Sequence, residues 1–199
     1  MIDRLVWMDL EMTGLDPARD VVLEIAALVT DSELEPLDAG IDLVINQSDA
    51  VLATMVPVVV EMHAKSGLTE AVRAATLTLA EAEQQVLAWL KTLVPEPKRA
   101  PLCGNSIGTD RSFLARHMPE LDAWMHYRMV DVSSVKELAR RWYPHAYGAA
   151  PAKAGGHRAL ADVTESIAEL RHYRSTIFVP KITASASAPT DSLPSAGAG

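Results

Sequence analysis

Three stretches near the start of the chain carry the apolar patterning of β-strands: Arg4 to Leu10, Val21 to Asp31 and Leu37 to Asn46. The links between them are short and rich in turn residues, so they are expected to pair as an antiparallel meander. After Asn46 the period becomes helical. "TLAEAEQQVLAWLKTLVP" places Val86, Leu87, Leu90, Leu93 and Val94 on one stripe, and Thr78 with Glu81 forms a capping box in front of it. A short strand around Leu102 and Cys103 leads through "GNSIGTD" into a helix carrying Phe113, Leu114 and His117. "YRMVDVSS" then reads as a strand, Ser134 to Trp142 as a helix stopped by Pro144, and Arg158 to Arg174 as a last helix with Leu160, Ile167 and Leu170 at core spacing. Three antiparallel strands followed by alternating helices and strands make an α/β fold, a mixed sheet covered by helices.

Composition sets the limits of this domain. Residues 1–178 hold the patterned part, whereas 179–199, mostly "KITASASAPTDSLPSAGAG", have almost no large apolar side chains to offset ordering entropy and read as a disordered tail. The Gly-, Ala- and Pro-rich stretch from Tyr147 to Gly156 reads as a mobile loop. The longest uncharged run, Ala50 to Val60, contains Pro57 and is far shorter than the ~18 residues of a membrane span. No secretory signal pattern precedes Trp7, so a cytoplasmic address is expected. The single cysteine, Cys103, has no partner for an internal disulfide and reads as a small core residue. With a net charge of −8, the chain repels a long polyanion instead of tracking its backbone. A nucleic-acid substrate, if there is one, should be short.

Against this background two carboxylates stand out, Asp9 and Glu11 in "VWMDLEMTGLDP". Side chains alternate along a strand, so both point to one face, with Leu5 and Trp7 behind them. Two carboxylates that close repel, and burial raises the cost of ionising both, a penalty that a divalent cation reverses. Taken alone, the pair also fits a strand that ends at Asp9 with its acids in water. "GNSIGTD" adds Asp110 at a helix start, and "GGHRALAD" adds His157 and Asp162. Singly, each has an ordinary reading as a helix-terminal acid or a capping histidine.

Together these residues resemble a known set. Asp9 and Glu11 in "DLEMTGLDP", Asp110 in "GNSIGTD", and His157 with Asp162 in "HRALAD" resemble the motifs of the DEDD exonuclease superfamily, in its histidine-containing branch. Within it, "WMDLEMTGLDP", "CGNSIG", "PELDAWMHYRMVDVSSVKELARRWYP" and "HRALADVTESIAELRHYR" resemble the oligoribonuclease family from about Asp3 to Phe178.

The resemblance implies an RNase H-like fold with a five-stranded sheet, and hydrolysis of very short RNA, chiefly dinucleotides, from the 3′ end to nucleoside 5′-monophosphates. Asp9, Glu11, Asp110 and Asp162 would hold two Mg²⁺ or Mn²⁺ ions about 3.5 to 4 Å apart, a ligand chemistry suited to hard cations. His157 would take the proton from the attacking water. By the same resemblance Leu15 would wedge against the bases and His63 would line the nucleotide pocket. Ser106, Ser133 and Ser134 would bind the 5′ phosphate, and Tyr127 and Arg128 would arrive from the second subunit of a homodimer. Glu24, inside "VVLEIAALV", has two open readings, as a brace behind the site or as a solvent-facing acid.

Overall fold

The computed structural model describes residues 3–152 and 158–179. In chain order the elements are β1 (Arg4–Met12), β2 (Val22–Asp31), β3 (Ile41–Val44), α1 (Asp49–Leu52), α2 (Pro57–Lys65), α3 (Leu68–Ala74) and α4 (Leu79–Leu93). They are followed by β4 (Leu102–Gly104), α5 (Ile107–His117), α6 (Pro119–Trp124), β5 (Met129–Asp131), α7 (Val132–Trp142), α8 (Pro144–Gly148) and α9 (Ala159–Thr176).

The five strands form one sheet in the order β3-β2-β1-β4-β5. The first three make the meander that their short links demand, and β4 and β5 join parallel to β1 and to each other. Parallel pairing needs a crossover, and the helical segments after β3 and β4 supply it.

Side-chain alternation along β1 divides the interior into two layers. Val6, Met8 and Leu10 join Ile25, Ala27 and Val29 under α4, α5 and α6, where Val86, Leu87, Leu90, Phe113, Leu114 and Leu121 are buried. Trp7, Ala26, Leu28 and Cys103 face the other way, onto Val132 and the α9 residues Ala159, Val163 and Ile167. Asp9 and Glu11 continue the second layer past Trp7, so β1 delivers both acids to the side on which α9 lies. The α4 capping box forms as its spacing predicts: the Thr78 hydroxyl accepts from Glu81 N, and Glu81 accepts from Thr78 N at 2.8 Å. Cys103 is buried, and desolvation pushes its thiol above the usual range, in keeping with an inert core residue.

Several boundaries differ from the expectation. β1 does not end at Leu10 but continues to Met12, because the β2 pairing carries on through Glu11 opposite Glu24. β3 is only Ile41–Val44, with Pro36 making an isolated bridge to Thr30, since proline lacks the N–H for a ladder. The segment between β3 and α4 folds into α1, α2 and α3, whose mixed polar and β-branched composition gives a weak helical signal. The expected loop from Tyr147 is preceded and partly replaced by α8, which Pro144 starts as an N-terminal proline can. The tail expected over 179–199 lies outside the described residues beyond Val179.

Candidate active site

The sheet's strand ends and the first turns of two helices converge on Asp9 and Glu11. Asp9, Glu11 and Asp162 each offer a carboxylate oxygen, and these oxygens all lie within 4.8 Å of one another. Asp162 reaches them from the first turn of α9. The register with β2 shifts between Glu11 and Met12, so the regular pairing is interrupted at the site itself, just after the second acid.

Asp110, in the first turn of α5, is buried beside this trio but outside its mutual 4.8 Å range. One of its oxygens accepts a hydrogen bond from Leu10 N at 3.0 Å, which ties α5 to the peptide between the two β1 acids. Burial pushes the Asp110 carboxyl up to about 7, against the opposing effect of that bond. Glu11 is raised to about 7 as well, first by desolvation and then by the charges of Asp162, Glu24 and Asp110, with Arg158 acting the other way. A group of acids this reluctant to ionise together suits a divalent cation, whose charge makes the ionised forms favourable, and all-oxygen donors select a hard one.

His63 does not lie on an open wall. It is the one fully buried residue of α2, and its side chain reaches in to the end of β1. Its Nε2 donates to the Met12 carbonyl at 2.9 Å, and Nδ1, without a hydrogen-bond partner among the described residues, stands 3.8 Å from Glu11 Oε2. His157 lies outside the described residues.

Leu15 is 76% exposed at the turn between β1 and β2. The turn under it is braced. Asp20 accepts from the Thr13 hydroxyl at 3.1 Å and from Asp16 N at 2.9 Å, and His117 on α5 donates to the Pro17 carbonyl at 3.0 Å. A Cβ at Gly14 would stand 2.5 Å from the Asp20 carboxylate, so a larger residue there must displace the side chain that braces the turn.

The three serines meet where β4 and β5 end and α7 begins. Ser106 N donates to Asp131 Oδ1 and to Ser133 Oγ, at 2.9 and 3.0 Å, and the hydroxyls of Ser106 and Ser133 lie 3.1 Å apart. Ser134 Oγ donates to Asp131 Oδ2 at 2.7 Å, and Ser133 Oγ to Asn105 Oδ1 at 3.1 Å. Asp131 is therefore the hub that assembles the serines, and it also caps α7 through Ser133 N.

Tyr127 and Arg128 point outward, with Tyr127 72% exposed and the Arg128 guanidinium 5.4 Å from its ring centroid. Arg111, the residue after Asp110, holds their backbone: its Nη1 donates to the carbonyls of His126 at 2.9 Å and Tyr127 at 3.1 Å, while Nε pairs with Asp122.

Glu24 is settled in favour of the buried reading. It is wholly buried opposite Glu11 and accepts from Arg158 Nε at 2.8 Å and from Ala159 N at 3.0 Å. Asp42 on β3 hydrogen-bonds it, and burial followed by the Glu24 charge raises Asp42 to about 6. Asp20, Asp42, Arg111, Asp131 and Arg158 were not singled out from the sequence. Only Glu24 had a visible signal, a lone charge within an apolar strand.

A mixed five-stranded sheet with acids gathered at the end of its central strand is an arrangement suited to an exonuclease, and the model of the exonuclease family matches residues 6–170. Among solved structures, exonuclease I from Methylocaldum szegediense superposes with a TM-score of 0.65 at 25% identity over 87% of this chain. The zinc-bound complex of E. coli exonuclease I with single-stranded DNA superposes with a TM-score of 0.67 at 20% identity over 88% of it. The chain spans 41% of each of those longer proteins, and the likeness concerns the fold.

Similarity in sequence narrows the class. The oligoribonuclease of Streptomyces griseus is 61% identical over 91% of this chain and 90% of that one, and that of Rhodococcus jostii is 60% identical over 91% of each. The chain belongs to the oligoribonuclease family, and it is a nuclease. Among the described residues no helix is long and apolar enough to cross a membrane.

Proposed function

We propose that this enzyme, through residues 1–178, hydrolyses very short oligoribonucleotides, chiefly dinucleotides, from the 3′ end to nucleoside 5′-monophosphates in the cytoplasm. The observation that carries the reading is the convergence of Asp9, Glu11 and Asp162 within 4.8 Å, with buried Asp110 beside them, in a chain of net charge −8. The relatives' name, oligoribonuclease, supports the substrate class.

Asp9, Glu11, Asp110 and Asp162 would hold two divalent ions, Mg²⁺ or Mn²⁺. When bound, such ions supply Lewis-acid stabilisation of the charge that develops on the reacting phosphate. The rest falls to the protein. His157, by family resemblance, takes the proton from the attacking water. His63 packs beneath Glu11 and limits the positions its carboxylate can take. Leu15, on a braced turn, offers an apolar edge against which a base can stack. The Ser106, Ser133 and Ser134 group closes the far end around the 5′ phosphate, and a closed end acts as a ruler that longer chains cannot pass.

Asp131 at the hub of that group makes a cation necessary beside a bound phosphate. Arg128 of a second subunit in a twofold homodimer, with Tyr127 next to it, supplies that cation. Two features support this: both side chains are exposed, and Arg111 fastens the carbonyls of His126 and Tyr127 just before Arg128.

The test is kcat/KM for 5′-phosphorylated oligoribonucleotides from two to seven nucleotides, with Mg²⁺ and with chelator. The reading requires metal-dependent turnover that falls steeply beyond two nucleotides. A flat or rising length profile overturns the ruler and marks a general exonuclease.

A further inference from the structure

Glu24 stands out among the groups that the proposed chemistry leaves unused. It is the one charged residue within the first nine positions of β2, all of them buried from Val22 to Thr30. A carboxylate so placed is expensive to desolvate, and well-packed apolar residues commonly serve the fold as well or better. Its partners indicate what the residue does there.

Each oxygen accepts from the start of α9, and Asp42 on β3 shares the carboxylate. Oε1 accepts from Arg158 through Nε at 2.8 Å and Nη2 at 2.6 Å, and Oε2 accepts from Ala159 N at 3.0 Å. Ala159 is the first residue of α9, and Arg158, its N-cap, makes no side-chain capping bond. Glu24 therefore caps the helix from another element, satisfying a free N–H that the local sequence leaves open. The linkage continues to the site: Arg158 O accepts from Asp162 N at 3.1 Å, the first i to i+4 bond toward the Asp162 backbone. Glu24 is also the register partner of Glu11, so the same β2 position lies across from one acid and holds the helix that carries another.

We propose that Glu24 is a positioning residue for the metal site: by fastening Arg158 and Ala159 to β2, it sets where Asp162 stands relative to Asp9 and Glu11. The proposal rests on the metal-site reading above. Helix α9 packs on the sheet through Ala159, Val163 and Ile167, contacts that hold it to the sheet, whereas the Glu24 bonds fix its first turn along and about its axis. Residues that orient metal ligands in this way typically change metal affinity by about 10- to 100-fold when altered.

The experiment uses the full chain, stripped of metal and titrated with Mn²⁺ by calorimetry, for the wild type, Asp162→Ala and Glu24→Gln. Gln keeps the volume and an acceptor for Ala159 N but loses the charge that holds Arg158. Glu24→Gln should bind Mn²⁺ about 10- to 100-fold more weakly. At limiting Mn²⁺ its kcat on a dinucleotide should fall while KM stays within about twofold, and high Mn²⁺ should restore much of the kcat. Amide hydrogen exchange in the first turn of α9 should also accelerate.

A wild type that binds no Mn²⁺, or an Asp162→Ala that binds it undiminished, defeats the metal-site reading and the positioning role with it. If the wild type binds and Asp162→Ala does not, unchanged Mn²⁺ affinity in Glu24→Gln overturns the positioning role alone, even if the melting temperature drops. Should Glu24→Gln fail to fold, Arg158→Lys decides by the same measurement, since Lys keeps a cation beside Glu24 without the two-pronged hold. A loss of about tenfold supports the proposal and wild-type affinity overturns it.

Discussion

Replacing Glu11 by Gln should remove activity and, without metal, make the protein more stable. In the folded protein the Glu11 carboxyl is raised from its ordinary value of 4.5 to about 7, chiefly by burial and then by Asp162, Glu24 and Asp110. Between those two pH values the folded state keeps a proton that the unfolded chain has released, so stability declines as pH rises through this window. The decline is complete a little above pH 7. Its size follows from the gap, about 1.4 kcal/mol for each of roughly 2.5 pH units, or about 3 to 4 kcal/mol. Gln has the same shape and no charge to desolvate, so Glu11→Gln escapes this loss.

Urea unfolding in EDTA measures it. At pH 8 the variant should exceed the wild type by about 3 to 4 kcal/mol, and at pH 4 the two should agree within roughly 0.5 kcal/mol. Mg²⁺ at about 100 times its dissociation constant should restore about 2.7 kcal/mol to the wild type and little to the variant, closing most of the gap. A variant less stable than wild type at pH 8 in EDTA, or a difference that does not change with pH, would refute the claim that this carboxylate is held at an energetic cost for the sake of a cation.

Three further outcomes follow from the same geometry. Because Glu11 and Asp110 both sit at about 7, metal must displace their protons at lower pH; Mn²⁺ affinity measured by calorimetry should fall by up to about 100-fold per pH unit well below pH 7 and level off above pH 8. Gly14→Ala drives a Cβ to 2.5 Å from the Asp20 carboxylate, so it should cost about 1–3 kcal/mol in thermal unfolding and, by displacing Leu15, raise KM for a dinucleotide more than it lowers kcat. Inactive Asp110→Ala and Arg128→Ala chains, unfolded and refolded together in equal amounts, should regain about a quarter of wild-type activity, since half the dimers are hybrids with one intact site of two; exchange without recovery would place Arg128 outside the neighbouring pocket.

Local patterns carried the sequence reading where short-range physics decides the structure. The alternation in β1 put Asp9 and Glu11 on one face, the Thr78 and Glu81 spacing made the α4 cap, and the short links made the meander, because each depends on residues a few positions apart. The motif resemblance marked Asp110 and Asp162 as members of one site. Other features depended on packing between distant segments. That His63 is sealed beneath Glu11, that Asp110 is fastened to Leu10 N a hundred positions away, that Asp131 assembles the serines and that Glu24 holds the first turn of α9 were legible only in three dimensions. A charged side chain has the same local propensity whether it faces water or a buried N–H. Its role is set by burial and by the partner that the rest of the chain brings to it, and both exist only once β1, β2, α2, α5 and α9 are packed.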